Sequence, residues 1–403
     1  MKEVKIIDAI MGSGKTHDAI EKMKCHKGKF IYVTPFLDEV ERIKKNVPSV
    51  VDPVVRTDQQ PDGTKRVIYK RDDLLIKANQ GLNMATTHSL FQGLKRSDYS
   101  HFQEYDLILD EVLTPIKVID MTPDDIKIGF DQRLLVENKT TGEVTYTGDE
   151  YDGKFYKKLK RYCDTSNVIY IDGRLLVWAF PPEIFKSFNS IKVLTYLFEG
   201  SLLAAYFKYY NIDFDIDSQS KAVQLKKKQE IKKLLGIYSG SKNKVGENYY
   251  AFSLSWLKKQ NSNDLGRISK SVSNLIQTKY KTKSGENAYT TFKDFKGKLK
   301  GKGYTSGFIA VNERATNKYS DRKVMIYMAN RFVKPEFKMF FNTRDILIDE
   351  DRWALAELIQ WLWRGSIRKN QHMNLFIPSK RMRELLVNWI DDLPQVVQNS
   401  KAA

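Results

Sequence analysis

The chain has 403 residues, 41% of them hydrophobic and 12% aromatic, and carries a formal net charge of +18. That length exceeds one ordinary core and predicts two domains, and the charge makes a polyanion, nucleic acid first, the expected partner. No apolar run approaches the roughly 18 residues of a membrane helix and Cys25 and Cys163 stand alone, which excludes a membrane anchor and a disulfide framework and leaves a reducing cytoplasm as the expected setting.

The first 115 residues alternate short apolar runs with helical segments: VKIIDAI, a helix over about 16–24, KFIYVTP, a second helix, LNMATTHS, a third, and YDLILDEV. This βαβα rhythm predicts an α/β fold with a parallel sheet and its ligands at the carboxyl strand ends. The rhythm then breaks. LLVENKTTGEVTYTG reads as two β-rich runs around a polar turn at 138–142, followed by a charged helix near 152–162, so an insertion is expected over about 115–181. NVIYID and KVLTYLF bring back sheet-like patterning, and residues 200–210 lead by helix to a second unit beginning at DFDID. The expected domains are 1–208 and 209–403. Within the second, 221–302 is dense in lysine, but Tyr249, Tyr250, Phe252, Leu254 and Trp256 inside it predict a folded basic face instead of a tail. GFIAV and KVMIYMA predict two strands, and NLFIPS opens a last strand and helix.

The stretch AIMGSGKT, residues 9–16, follows a strand and opens a helix. Backbone N–H groups of Met11, Gly12, Ser13 and Gly14 would close around phosphate, Lys15 would meet the β- and γ-phosphates of a nucleotide such as ATP, and Thr16 would offer its hydroxyl to Mg2+. The apolar run LILDEV delivers Asp110 to a strand end, where it would hold the Mg2+ shell through water, and sets Glu111 to orient or deprotonate a water. Near the C-terminus, IQWLWRGSIRKN spaces Gln360, Arg364 and Arg368 four residues apart. On one helix they would share a face, and long polar side chains in an apolar stretch need a partner. The expected partner is the bound nucleotide; the simpler alternative is pairing with Glu357 or Asp351.

With these motifs the chain resembles superfamily 2 helicases and translocases of the compact sort found in tailed phages, over most of its length. AIMGSGKT is similar to their motif I, DEVL at 110–113 to the variable motif II, VTPFLDEVERI to motif Ia, and ATTHSLF to the strand-end motif that grips a sugar-phosphate backbone. VLTYL around Thr195 stands at motif III, which couples hydrolysis to strand movement, ATNKYSD near Asn317 resembles motif V, and QWLWRGSIR resembles motif VI with Trp363 where glycine is usual. The resemblance implies two RecA-like domains of mainly parallel sheet, the first carrying a β-hairpin and helical insertion. It also implies that Arg364 and Arg368, with Gln360, reach the triphosphate from the second domain.

Sequence-independent tracking works through phosphates, and Thr34, Pro35 and Phe36, then Thr86, Thr87 and His88, end strands beside new helices; their alternative reading is ordinary helix capping. The expected function is an ATP- and Mg2+-dependent nucleic-acid helicase or translocase, a monomer acting in phage replication or recombination in the host cytoplasm. DNA, single-stranded or forked, is favoured with RNA left open, and replication or single-strand-binding proteins are the expected partners. The hairpin at 132–148 would be a strand-separating pin. A phage DNA-packaging (terminase-like) ATPase, drawing metal ligands from Asp345, Asp349, Glu350 and Asp351, and a nucleotide kinase are the rival readings.

Overall fold

The computed structural model describes residues 3–59, 63–148, 154–165, 167–311 and 318–392. The chain divides into two compact α/β units, the first made of Met1–Ala9, Gly14–Ser218 and Lys334–Ile348, the second of Ile10–Ser13, Gln219–Val333 and Asp349–Ala403. No helix among the described residues is long and apolar enough to cross a membrane.

In the first unit seven strands form one sheet in the order Asp215–Ser218, Val4–Asp8, Ser190–Thr195, Tyr105–Asp110, Lys29–Thr34, Asn83–Thr87 and Val50–Val51. Every neighbouring pair is parallel. A parallel sheet is covered on both faces, so its strands read as unbroken apolar runs, and Phe30, Ile31, Tyr32 and Val33 are all fully buried. Ile20 and Met23 of the Lys15–Lys24 helix, with Val40 and Ile43 of the Leu37–Asn46 helix, pack on Phe30, Tyr32 and Ala85. Each such side chain contributes about 1.5–3 kcal/mol by leaving water. That packing fixes where the strand ends lie.

Three sequence expectations change. DFDID does not open the second unit: Asp215–Ser218 pairs in parallel with Val4–Asp8 as the edge of the first sheet, with Phe214 packed on Phe198 and Phe207. NVIYID does not return to the main sheet either. Val168–Ile171 pairs antiparallel with Leu175–Ala179, which pairs with Ile116–Val118, so a small sheet closes the insertion on itself. The hairpin of Leu135–Glu137 and Val144–Tyr146 forms as expected, but its turn is tethered: Tyr170 N–H donates to Gly142 O at 3.0 Å and Glu143 bridges to Ile169. Third, Lys334–Ile348 folds with the first unit, where Phe340 stacks on Tyr209 and Arg344 donates to the Tyr209 carbonyl at 2.8 Å.

The second unit has a four-stranded parallel sheet in the order Leu235–Ile237, Met373–Phe376, Val324–Tyr327 and Asn287–Thr290. GFIAV supplies a single bridge, Phe308 to Tyr289, and no strand; the edge strand is Asn287–Thr290, fully buried in spite of its short polar sequence. Trp361 is buried, edge-on to Tyr327 at 5.3 Å, with its indole N–H donating to Ile309 O at 3.3 Å.

Candidate nucleotide site

The Val4–Asp8 strand runs into the loop at 9–14, and the Lys15–Lys24 helix starts directly after it. Gly12 (φ 75°) and Gly14 (φ 91°) occupy left-handed backbone that other residues adopt only with strain, so the loop turns where its glycines stand. Within the second unit the α-carbon of Gly12 faces the Trp363 indole, and a Cβ there would lie 2.8 Å from the ring. Met11 and Ser13 are half-buried and Gly14 exposed, with Ser13 N–H returning to Ile10 O at 3.2 Å. Lys15 bends back so that its ammonium donates to the Ala9 carbonyl. Burial pulls the Lys15 pKa down to about 8, against the pull of Asp110, Asp8 and Glu111.

One strand separates the loop strand from Tyr105–Asp110, yet the Thr16 hydroxyl lies 3.4 Å from Asp110 Oδ1. Asp110 is buried, and desolvation followed by repulsion from Glu111 raises its carboxyl to about 7. The buried Tyr32 hydroxyl sits against the same carboxylate, and its own pKa is pushed up by burial and by Asp110. A hydroxyl and a carboxylate oxygen this close, in a site short of positive charge, suit a hard divalent cation such as Mg2+.

The peptide between Asp110 and Glu111 is held at both ends. Its N–H, on Glu111, donates to Leu194 O at 2.9 Å, and its carbonyl accepts from His88 Nε2 at 3.1 Å. Since a carbonyl only accepts, the ring carries its proton on Nε2. Glu111 sits at φ 64°, a conformation costing roughly 1–3 kcal/mol outside glycine, and the two bonds hold it there. Its Oε2 is buried with no hydrogen-bond partner among the described residues.

Sequence reading passed over Asp8. Its carboxylate accepts from Leu197 N–H at 2.8 Å and Phe198 N–H at 3.2 Å, while Ala9 N–H donates to Thr195 O at 3.0 Å. The end of Ser190–Thr195 is thereby tied to the phosphate loop on one side and, through Leu194, to Glu111 on the other. Thr195 itself is buried between them. An acid closing the first strand, directly ahead of AIMGSGKT, was the available signal.

The expected track residues divide. Thr34 is fully buried, Thr86 is 2% exposed and His88 8%, so these side chains lie buried at the strand ends. The Thr87 hydroxyl accepts from Leu90 N–H at 3.3 Å and caps the short His88–Phe91 helix. Pro35 and Phe36 are half-buried, and Leu37 after them is exposed. Asn317 lies outside the described residues.

Gln360, Arg364 and Arg368 do not share one helix face. The Glu350–Leu362 helix ends with Trp363 as its cap, Arg364 N–H and Gly365 N–H tighten onto Trp361 O and Leu362 O, and Ser366–Lys369 is a separate 3-10 turn. Gly365 packs closely after the break: a Cβ there would come within 2.4 Å of the Met373 sulfur. Arg364 is 3% exposed, while Gln360 and Arg368 are half-buried. Nor do Glu357 and Asp351 take these arginines. Glu357 pairs with Arg331 at 3.4 Å and Asp351 with Arg381. Of the acids considered as nuclease ligands, three are likewise in use: besides Asp351, Asp349 caps the helix by accepting from Arg352 N–H, and Glu350 accepts from Val333 N–H at 2.8 Å.

Residues 229–390 match the YonV C-terminal Rossmann-like domain. Over 417 aligned positions, covering 97% of this chain and 100% of the relative, the sequence is 35% identical to the SPbeta prophage-derived protein YonV of Bacillus subtilis (strain 168). Among solved structures the chain is similar to one titled XPD helicase, at 11% identity and TM-score 0.48 over 97% of this chain and 95% of that one. It is similar also to S. tokodaii Xpd4, at 12% identity and TM-score 0.48 over 98% and 95%. At 35% identity over almost its whole length, this chain belongs to the YonV family.

Proposed function

We propose that the protein is an ATP- and Mg2+-dependent nucleic-acid translocase, acting as a helicase or branch-remodelling motor on phage DNA in the host cytoplasm. The observation that carries this reading is the convergence of Lys15, Thr16, Asp110 and Glu111 at the carboxyl ends of one parallel sheet, with Thr16 Oγ1 3.4 Å from Asp110 Oδ1. Lys15 and the loop amides bind and orient the triphosphate. Glu111, held at φ 64° by the clamped peptide, takes the proton of the attacking water. Thr16 and Asp110 would hold Mg2+, which when bound offsets charge on the phosphate oxygens. Arg364, with Arg368 and Gln360, stabilises the charge developing on the γ-phosphoryl group, an effect on the order of 10³–10⁵ in rate.

The Asp8 and Thr195 ties give a strand-end route by which a change at the phosphates reaches neighbouring segments, and Pro35, Phe36, Thr87 and Asn317 are the proposed backbone contacts along the track. A net charge of +18 supplies the long-range attraction for that track. The test is ATP hydrolysis by wild type and Arg364→Ala, with single-stranded, duplex and forked DNA and with RNA. Stimulation by one polymer, lost in the variant while polymer binding persists, is the expected result and names the track. Hydrolysis indifferent to every polymer would overturn the motor reading and return attention to phosphate transfer to a small acceptor.

A further inference from the structure

The basic density expected across 221–302 is two different surfaces. On the Lys221–Leu234 helix three of the six lysines are engaged: Lys228 pairs with Asp392, Lys232 with Asp391 at 2.7 Å and Lys227 with Glu230 at 3.1 Å. Residues 267–302 differ. They hold ten Lys or Arg against two acids, a net +8 in a chain of +18, and all ten are exposed. Of the acids, Glu286 is taken by Lys323. Among the described residues Lys270, Lys281, Lys293, Lys300 and Lys302 have no carboxylate partner.

Packing brings part of this charge together. Ser269 of the Ser262–Leu275 helix donates to Lys300 O at 2.6 Å, and Gly301 is so close that a Cβ would stand 2.6 Å from Ser273 Oγ. Lys270 beside Ser269, and Lys300 and Lys302 around Gly301, therefore rise from one seam. Alongside it, Lys296 lies 4.8 Å over the Phe308 ring and Lys298 5.2 Å over Phe295, which fixes their stems.

What the surface lacks selects its ligand. Tyr289, Phe295 and Tyr304 are buried in the core beneath it, and Tyr280, Phe292 and Phe308 pack half-buried against that core, with Lys296 over Phe308, so no ring among the described residues 262–308 stands fully exposed for bases to stack on. The exposed large apolar residues of the second unit include none in 262–306, so the face has neither the apolar centre of a protein interface nor an inserting edge for a membrane. Single strands are gripped through stacking as well as charge, whereas a duplex turns its bases inward and offers phosphates. We propose that the face of residues 267–302, centred on Lys270, Lys300 and Lys302, is a sequence-independent grip for the phosphate backbone of a nucleic-acid duplex, separate from the strand track. It rests on the nucleic-acid reading above and adds to it the duplex arm that such a motor would hold.

The test is binding of full-length protein to a short blunt DNA duplex, an RNA duplex and a single strand across a salt series, comparing wild type with the Lys270→Gln/Lys300→Gln/Lys302→Gln variant. Each lost phosphate contact lowers the slope of log K against log salt by roughly 0.9 for a DNA duplex. The variant is expected to lose about two to three in slope on one or both duplexes and to keep its single-strand affinity. Which duplex responds identifies the source of the phosphates. An equal charge change on the other helix, Lys221→Gln/Lys226→Gln/Lys233→Gln, is the control and is expected to move the slope less. Unchanged duplex binding, an equal fall for single strands, or an equal effect of the control variant would each overturn the grip. Stimulation of wild-type hydrolysis by any polymer is scored separately and bears on the motor reading alone.

Discussion

Two parallel sheets in one chain end differently. In the first unit five of the seven strands of the main sheet close on Asp8, Thr34, Thr87, Asp110 and Thr195, and nearly every one of these is bonded to a neighbouring strand end or caps the next helix. In the second they close on Ile237, Thr290, Tyr327 and Phe376. Strand direction alone makes a place for a ligand, and polar residues at the ends make chemistry there. By this comparison the first unit gathers polar groups at its strand ends, where the proposed nucleotide site lies, while the second invests its polar groups in holding itself together and in a charged face. Arg381 illustrates the second use: it is 4% exposed, donates to Asp351 and Asn330, and lies 4.3 Å over the Phe332 ring.

The comparison breaks most readily at the first sheet. Lys15→Ala should cut hydrolysis by roughly 10²–10³-fold or more, and Glu111→Gln by roughly 10²–10⁴-fold, both with unchanged melting curves. Wild-type turnover in either would show that the strand-end acids and lysine are structural. Arg381→Ala, by contrast, should reduce the unfolding free energy by about 3 kcal/mol in denaturant titration, since Asp351 loses its partner. A change in turnover without a change in stability would move Arg381 out of the structural class.

A finer cut falls on the clamped peptide. His88→Ala should lower kcat roughly 10-fold with KM for ATP little changed, and His88→Gln, which can place an N–H near the Asp110 carbonyl, should recover most of it. Equal loss in both variants would mean that the ring serves only packing. The smallest effect belongs to Thr87→Ala, about 1 kcal/mol of stability through the lost helix cap. Single-strand binding unchanged in that variant would remove the Thr87 hydroxyl from the proposed track and leave it the helix cap alone.

How far the sequence went depended on whether a signal was local. AIMGSGKT and LILDEV carry their own turns, helix start and strand, so the loop and the acid at the strand end could be read before the fold was known. The four-residue spacing of Gln360, Arg364 and Arg368 looked equally local and misled, because the helix ends at Leu362 and Arg368 falls in a separate turn after Gly365, which packs against Met373 of the following strand. Asn287–Thr290 was missed for a related reason: Asn287 and Tyr289 find their partners only inside the core, where Asn287 donates to Gly303 O at 2.8 Å and Tyr289 to Lys296 O at 2.9 Å. DFDID misled because an edge strand of alternating acids carries no mark of which sheet it joins.

The sequence by itself determined the parallel α/β character, the glycine turn between first strand and first helix, the acid pair at a strand end and the excess of positive charge, since each follows from composition or from residues adjacent along the chain. Tertiary structure alone decided that His88 and Leu194 clamp the Asp110–Glu111 peptide, that Asp8 reaches the turn after Thr195, and that Lys270, Lys300 and Lys302 stand without a carboxylate partner among the described residues while Lys227, Lys228 and Lys232 are paired. Those outcomes depend on which strand ends become neighbours and which acids arrive beside a given lysine, and that is settled only when buried side chains far apart in sequence pack together.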